Sequence, residues 1–160
     1  MRRLIALLLC FLVPAVAFAA NNDKDENSYK VMYDGGSLQH VKAGDNAKLI
    51  IEPTQIRFVR GKDEIAVIQA ASITEISYGQ DVHRRIGAAI GLAVISLGIG
   101  ALMAFTKSKK HYVGITWAEG STKGGFAMQC DKNDYRGVLA ALEGITGKKA
   151  VDSDSMNVKN

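Results

Sequence analysis

The chain has 160 residues, with 20 Lys+Arg against 16 Asp+Glu and a formal net charge of +4. Once appendages are set aside, about 100 residues remain for a core, which is one small domain. Without Arg2 and Arg3 the balance is 18 against 16, and residues 82–111 hold no acid at all, so the basicity is local and a uniform nucleic-acid-binding surface is excluded.

In chain order, Met1-Arg2-Arg3, an apolar segment over residues 4–13, Pro14 and Ala17-Phe18-Ala19 predict a signal peptide over residues 1–19. Export to the envelope or periplasmic side is the expected localisation. Acylation of Cys10 is disfavoured because Leu9 stands where a small residue is required, and an uncleaved anchor needs a longer apolar run. With Cys10 gone, Cys130 is the only thiol, so no intramolecular disulfide forms. With no neighbouring His or second Cys, Cys130 reads as the end of a core strand.

Residues 20–28 read as a polar linker. Strands are predicted over residues 29–33, closed by Asp34-Gly35-Gly36, then over 37–41, 47–51, 55–60, 64–69 and 73–78, rich in β-branched and aromatic residues and separated by turn chemistry. Short strands at this spacing form an antiparallel meander that curls into a sandwich or barrel.

Residues 86–105 then form an apolar run with no charge and one hydroxyl, Ser96. Its membrane-facing residues are Ile86, Gly87, Ile90, Gly91, Leu92, Val94, Ile95, Leu97, Gly98, Ile99, Gly100, Leu102 and Phe105. Arg84, Arg85, Lys107, Lys109 and Lys110 make a basic collar around it. As one helix the run would rise about 30 Å, enough for a single transmembrane helix. A single span, however, leaves fewer than about 40 residues to fold alone on the far side. A returning insertion over residues 84–110 keeps the sheet whole: Leu97-Gly98-Ile99-Gly100 supplies a turn, and Gly87 and Gly91 let the two arms approach. A core helix buried in a soluble protein ranks third, because so small a domain cannot surround a helix that is apolar on all sides. The lipid bilayer is the expected partner, with oligomerisation through the run and a protein partner of unknown identity as further expectations.

The strand pattern resumes over residues 111–117 and 125–130. Val113, Ile115 and Trp117 share one face, as do Phe126, Met128 and Cys130, which predicts a hairpin with a matched apolar side. A final helix follows, with Asp131 as N-cap, Asp134 in its first turn, and Tyr135, Val138, Leu139, Leu142 and Ile145 at helical spacing. Gly144 or Gly147 stops it, with Lys148 and Lys149 beside its negative end. Residues 148–160 read as a disordered tail.

Several antiparallel strands, a last hairpin and one C-terminal amphipathic helix, together with the segments IIEPTQIRFV, AASITEISYG and CDKNDYRGVLAALEGITG, resemble pleckstrin-homology-like (PH-like) and GRAM-like domains over residues 29–147. The resemblance implies a mainly β (α+β) fold, a small partly open barrel of two nearly orthogonal sheets with the last helix plugging one end. The apolar insertion departs from that pattern. Phosphoinositide binding is not carried over, because no basic motif matches residue by residue.

No catalytic constellation, metal set or cofactor motif stands out. The expected function is an exported, membrane-associated PH-like binding or scaffold module without catalytic activity. Two alternatives are a single-pass transmembrane protein with small domains on both sides, and a metal-dependent enzyme built on His83 and His111 with Asp81.

Overall fold

Alternation of apolar and polar side chains places every strand, and the same alternation decides which face each strand turns inward. The computed structural model describes residues 27–90 and 110–157. Its strands are β1 (Ser28–Gly36), β2 (Asn46–Ile51), β3 (Gln55–Arg60), β4 (Asp63–Gln69), β5 (Ile73–Tyr78), β6 (His111–Glu119), β7 (Thr122–Cys130) and β8 (Val151–Asp152), with helices α1 (Val82–Ile90) and α2 (Tyr135–Thr146). They form one sheet in the order β4-β3-β2-β1-β7-β6-β5-β8. Every pairing is antiparallel except the two-residue parallel contact of β5 with β8. The protein is mainly β, and the sheet is not closed, since β4 and β8 end it without pairing to each other. The predicted signal peptide, the linker up to residue 26, and the insertion residues 91–109 lie outside the described residues.

The core forms on the inner face. Val31 and Tyr33 of β1, Leu49 and Ile51 of β2, Ile56 and Phe58 of β3, and Val113, Ile115, Phe126, Met128 and Cys130 of the β6–β7 hairpin are all buried there. Phe58 and Phe126 meet edge to face at 5.1 Å, and this contact ties the β1–β4 meander to the β5–β7 meander. α2 adds Val138 and Leu142, both fully buried; burial of a side chain of this size is worth about 1.5–3 kcal/mol. The helix stops at Gly147, whose φ of 68° is the left-handed conformation that glycine adopts without steric cost, and whose N–H donates to Glu143 O. At the other end Asp134 rather than Asp131 is the N-cap. Asp131 shapes the preceding turn instead, its Oδ1 accepting from Asn133 N–H at 2.8 Å.

A second, smaller core lies on the outer face of β6 and β7, where α1 packs. Val82 and Ile86 sit over Ala127, with Ile90 and Tyr112 at the margin. The helix comes this close because the strand positions beneath it are small. A Cβ at Gly114 would overlap Val82 Cγ1 and come within 2.7 Å of Ser77 Oγ, and one at Gly125 would stand 3.0 Å from Ile86 Cγ2.

Three expectations are corrected. First, among the described residues no helix is long and apolar enough to cross a membrane, which removes the transmembrane helix. Ile86 and Gly87, expected in the bilayer, are buried against the sheet, and β5 and β6, which flank the run, pair with each other from Ile73↔Trp117 to Tyr78↔Val113. A single span would place two hydrogen-bonded neighbours on opposite sides of a membrane. Second, residues 148–157 are not a disordered tail. Ala150 N–H donates to Glu143 Oε1 at 2.7 Å, β8 lies along β5, and Ser153 is buried with its Oγ donating to Tyr78 O at 2.7 Å. Third, residues 37–41 form no strand, and Ser37 instead clamps β7, donating through Oγ to Gly125 O and accepting from Gly125 N–H.

Gly114→Ala is expected to lower stability by about 1–3 kcal/mol through overpacking beneath α1, measured as a lower midpoint in urea unfolding. Glu143 is held below the usual carboxylate value, first by the Ala150 N–H and then by Lys149. Its contribution is therefore present above the unfolded value and is lost as pH falls through the folded one. Glu143→Gln should flatten the fall in stability between neutral and acid pH, read from parallel urea titrations.

Candidate functional site

The outer face of β1, β6 and β7 carries the chemistry. β1 has a bulge opposite β7: Tyr33 pairs with Met128 and Gly35 with Ala127, so Asp34 is the extra residue. A bulge re-aims the side chain it frees, and Asp34 here meets α1. Its Oδ2 is in contact with His83 Nε2, in a pair with side chains 19% and 6% exposed. The His83 ring stands edge to face with Tyr112 at 5.6 Å, and among the described residues its Nδ1 has no hydrogen-bond partner. The Tyr112 hydroxyl is pushed above its ordinary value, first by burial and then by the Asp34 charge. The cluster Asp34–His83–Tyr112 therefore pins the first turn of α1 to two strands through groups held away from water.

The root of the insertion is built next to it. Gln80 Nε2 donates to Lys110 O at 2.6 Å, and Gly79 N–H donates to Tyr112 O at 3.2 Å, so the chain leaves the sheet and returns to it at one place. Asp154 reaches across from the C-terminal segment, its Oδ1 accepting from Gln80 N–H at 2.6 Å and Asp81 N–H at 3.1 Å. A carboxylate at this helix start also complements the α1 dipole.

Of the expected basic collar, Arg84 is exposed and Arg85 is not a free surface charge. Arg85 forms a bidentate pair with Glu75, Nε to Oε1 at 2.9 Å and Nη2 to Oε2 at 2.8 Å. Lys110 is partly buried at the root. Lys107, Lys109 and the apolar residues Gly91, Leu92, Val94, Ile95, Leu97, Gly98, Ile99, Gly100, Leu102 and Phe105 lie outside the described residues.

The expected His83–His111 metal pair does not form. His111 precedes Tyr112 on β6, and neighbours on a strand face opposite ways. His83 packs on Tyr112 at the outer face, whereas His111 stacks on Tyr135 of α2 at 4.1 Å with the rings 7° from parallel. Among the described residues no group of three or more His, Cys, Asp or Glu is arranged to hold a metal. Cys130 is buried and its thiol is pushed up to about 12, first by burial and then by Asp134.

Beside the cluster, on the same face, is a groove of about 470 Å³ crossing β1, β2, β3 and β7, lined by Lys30, Met32, Asn46, Lys48, Val59, Gln129 and Asp131 among others. Gln129 links the two features, pairing with Met32 on one side and Tyr112 on the other. Sequence reasoning took Asp34 for a turn residue and did not single out Lys30, Lys48, Glu75 or Asp154. Strand alternation could have put Lys30 and Lys48 on one face, but no sequence signal joins Asp34 to His83 or Asp154 to Asp81.

No protein-family model matches the chain, and no curated protein matches it significantly.

His83→Ala is expected to cost about 2–4 kcal/mol, because it opens a cavity and leaves the Asp34 carboxylate unpaired; Asp34→Asn should cost less, both measured by urea unfolding. Cys130 should resist maleimide at mildly alkaline pH in the native protein and react only as fast as the chain unfolds, followed by mass spectrometry.

Proposed function

We propose that the chain is an exported, membrane-associated binding or scaffold module with a PH-like architecture and no catalytic activity. The observation that carries the membrane part is the root geometry: β5 and β6 pair on either side of the apolar run, and Gln80 holds Lys110 at 2.6 Å. The chain therefore leaves β5 and rejoins β6 at one place on one side of the domain, which supports a returning insertion. Residues 86–90 belong to α1, which leaves GLAVISLGIGALMAF, residues 91–105, for the bilayer. Fifteen residues rise only about 22 Å even as a straight helix, short of the roughly 30 Å of a hydrocarbon core. Entry into one leaflet and return fits that length, with basic residues at the headgroup level.

Support for the PH-like reading comes from seven antiparallel strands in an unclosed sheet, followed by one amphipathic helix that buries Val138 and Leu142 in the core. The groove on the outer face gives such a module a place to bind. The signal-peptide pattern over residues 1–19 supports export.

The test is replacement of residues 91–105 by a short Gly/Ser loop with Val82–Ile90 kept. The intact protein should stay in the membrane pellet through a high-salt wash, and the variant should move to the soluble fraction with its urea midpoint unchanged. Recovery of the intact protein in the soluble fraction overturns the reading. In the same membranes, probes at Arg84→Cys and Lys110→Cys should both be labelled from one compartment; labelling from opposite sides rules out the returning insertion.

A further inference from the structure

Gln80 joins three parts of the chain. Its backbone N–H donates to Asp154 Oδ1, its side chain donates to Lys110 O, and it stands just before α1. Asp154 also accepts from Asp81 N–H, so a carboxylate from the C-terminal segment sits at the start of a helix whose own first turn contains no acid. The segment is fitted to this place. Ser153, fully buried, donates to Tyr78 O through both its N–H and its Oγ, and a Cβ at Gly79 would stand 2.5 Å from Ser153 Oγ and 2.7 Å from Asp154 Oδ1. Yet its hold on the sheet is narrow: β8 pairs only with Ser77 and Tyr78 of β5, and Val151 is exposed. The packing of α1 is also separate from the main core, resting on Val82, Ile86 and Ala127 with Ile90 and Tyr112 at the margin. It buries His83 with Nδ1 lacking a partner among the described residues, and an unpartnered buried polar atom makes docking less favourable. Small, separately packed elements of this kind open below the free energy of global unfolding.

We infer that residues 150–157 are a latch: seated along β5 they hold α1 on the sheet and Gln80 on Lys110, and when they leave, α1 and that contact release as one unit while both meanders stay folded. A change at the C-terminal segment then reaches the root of the insertion without touching the apolar run. The latch is built from described residues and stands whether or not residues 91–105 enter a membrane; its control of membrane attachment rests on the returning insertion proposed above.

The test is native-state hydrogen exchange of the full chain in mild detergent, followed by NMR under rising urea. The Ser153 amide and the amides of α1 should share one opening, with the same urea dependence, at lower urea than the amides of the β6–β7 hairpin. Asp154→Ala should speed exchange in α1 about tenfold, the effect of losing a hydrogen bond to a charged group, with the hairpin at its wild-type rate. Because coupling is reciprocal, Ile86→Ala should speed exchange at the Ser153 amide. Separate openings for Ser153 and α1, or exchange of both only in global unfolding, overturn the inference on the wild-type protein alone. Unchanged α1 exchange or an even loss of protection in Asp154→Ala also overturns it, as does unchanged Ser153 exchange in Ile86→Ala.

Discussion

The hairpin of β6 and β7 is covered on both faces, and the rest of the molecule is arranged to satisfy that burial. On the inner side large residues, Val113, Ile115, Phe126 and Met128, meet the curled β1–β4 meander and α2. On the outer side the alternate positions are Gly114, Gly125 and Ala127, and α1 lies directly upon them. Period-two alternation usually separates a core face from a water face. Beneath α1 it separates a face of large residues from a face of small ones, and each kind receives the partner that its volume admits.

That outer packing sets where the apolar run can begin. α1 draws the first residues of the run onto the sheet, and three tethers hold it there: the Asp34–His83 contact from β1, the Arg85–Glu75 pair from β5, and Asp154 from the C-terminal segment. Polar contacts of this kind add little net stability compared with apolar packing, although leaving one partner of the buried Asp34–His83 contact alone is costly. Their effect is therefore on position, fixing the root of the insertion in one orientation next to the groove. The bulge at Asp34 belongs to the same arrangement, since a regular strand would not free that residue to meet the helix.

Strand after strand was legible because β-branched residues and turn chemistry mark their own boundaries. The hairpin of β6 and β7 and the stripe of α2 were read from spacing alone, which left Gly144 and Gly147 as alternative stops; the helix ends at Gly147. The errors have one physical cause. Hydropathy reports whether a residue prefers to leave water, not which apolar surface receives it, so Ile86 looked the same facing lipid or facing Gly125. Residues 148–157 misled for the opposite reason: a polar, patternless stretch orders through hydrogen bonds to Tyr78, Gln80 and Asp81, all more than seventy residues away.

By itself the sequence determined the mainly β class, the strand and helix periods, the place of Cys130 at the end of a core strand and the apolar character of residues 86–105, because each is a local property of composition and spacing. Only the tertiary structure decided that β1 joins β7, that α1 claims the start of the run, that His83 and His111 face opposite sides of the sheet, and that Lys30 and Lys48 share a groove. Those outcomes depend on register and on which faces meet, and a one-residue change of register turns every side chain of a strand to the other face.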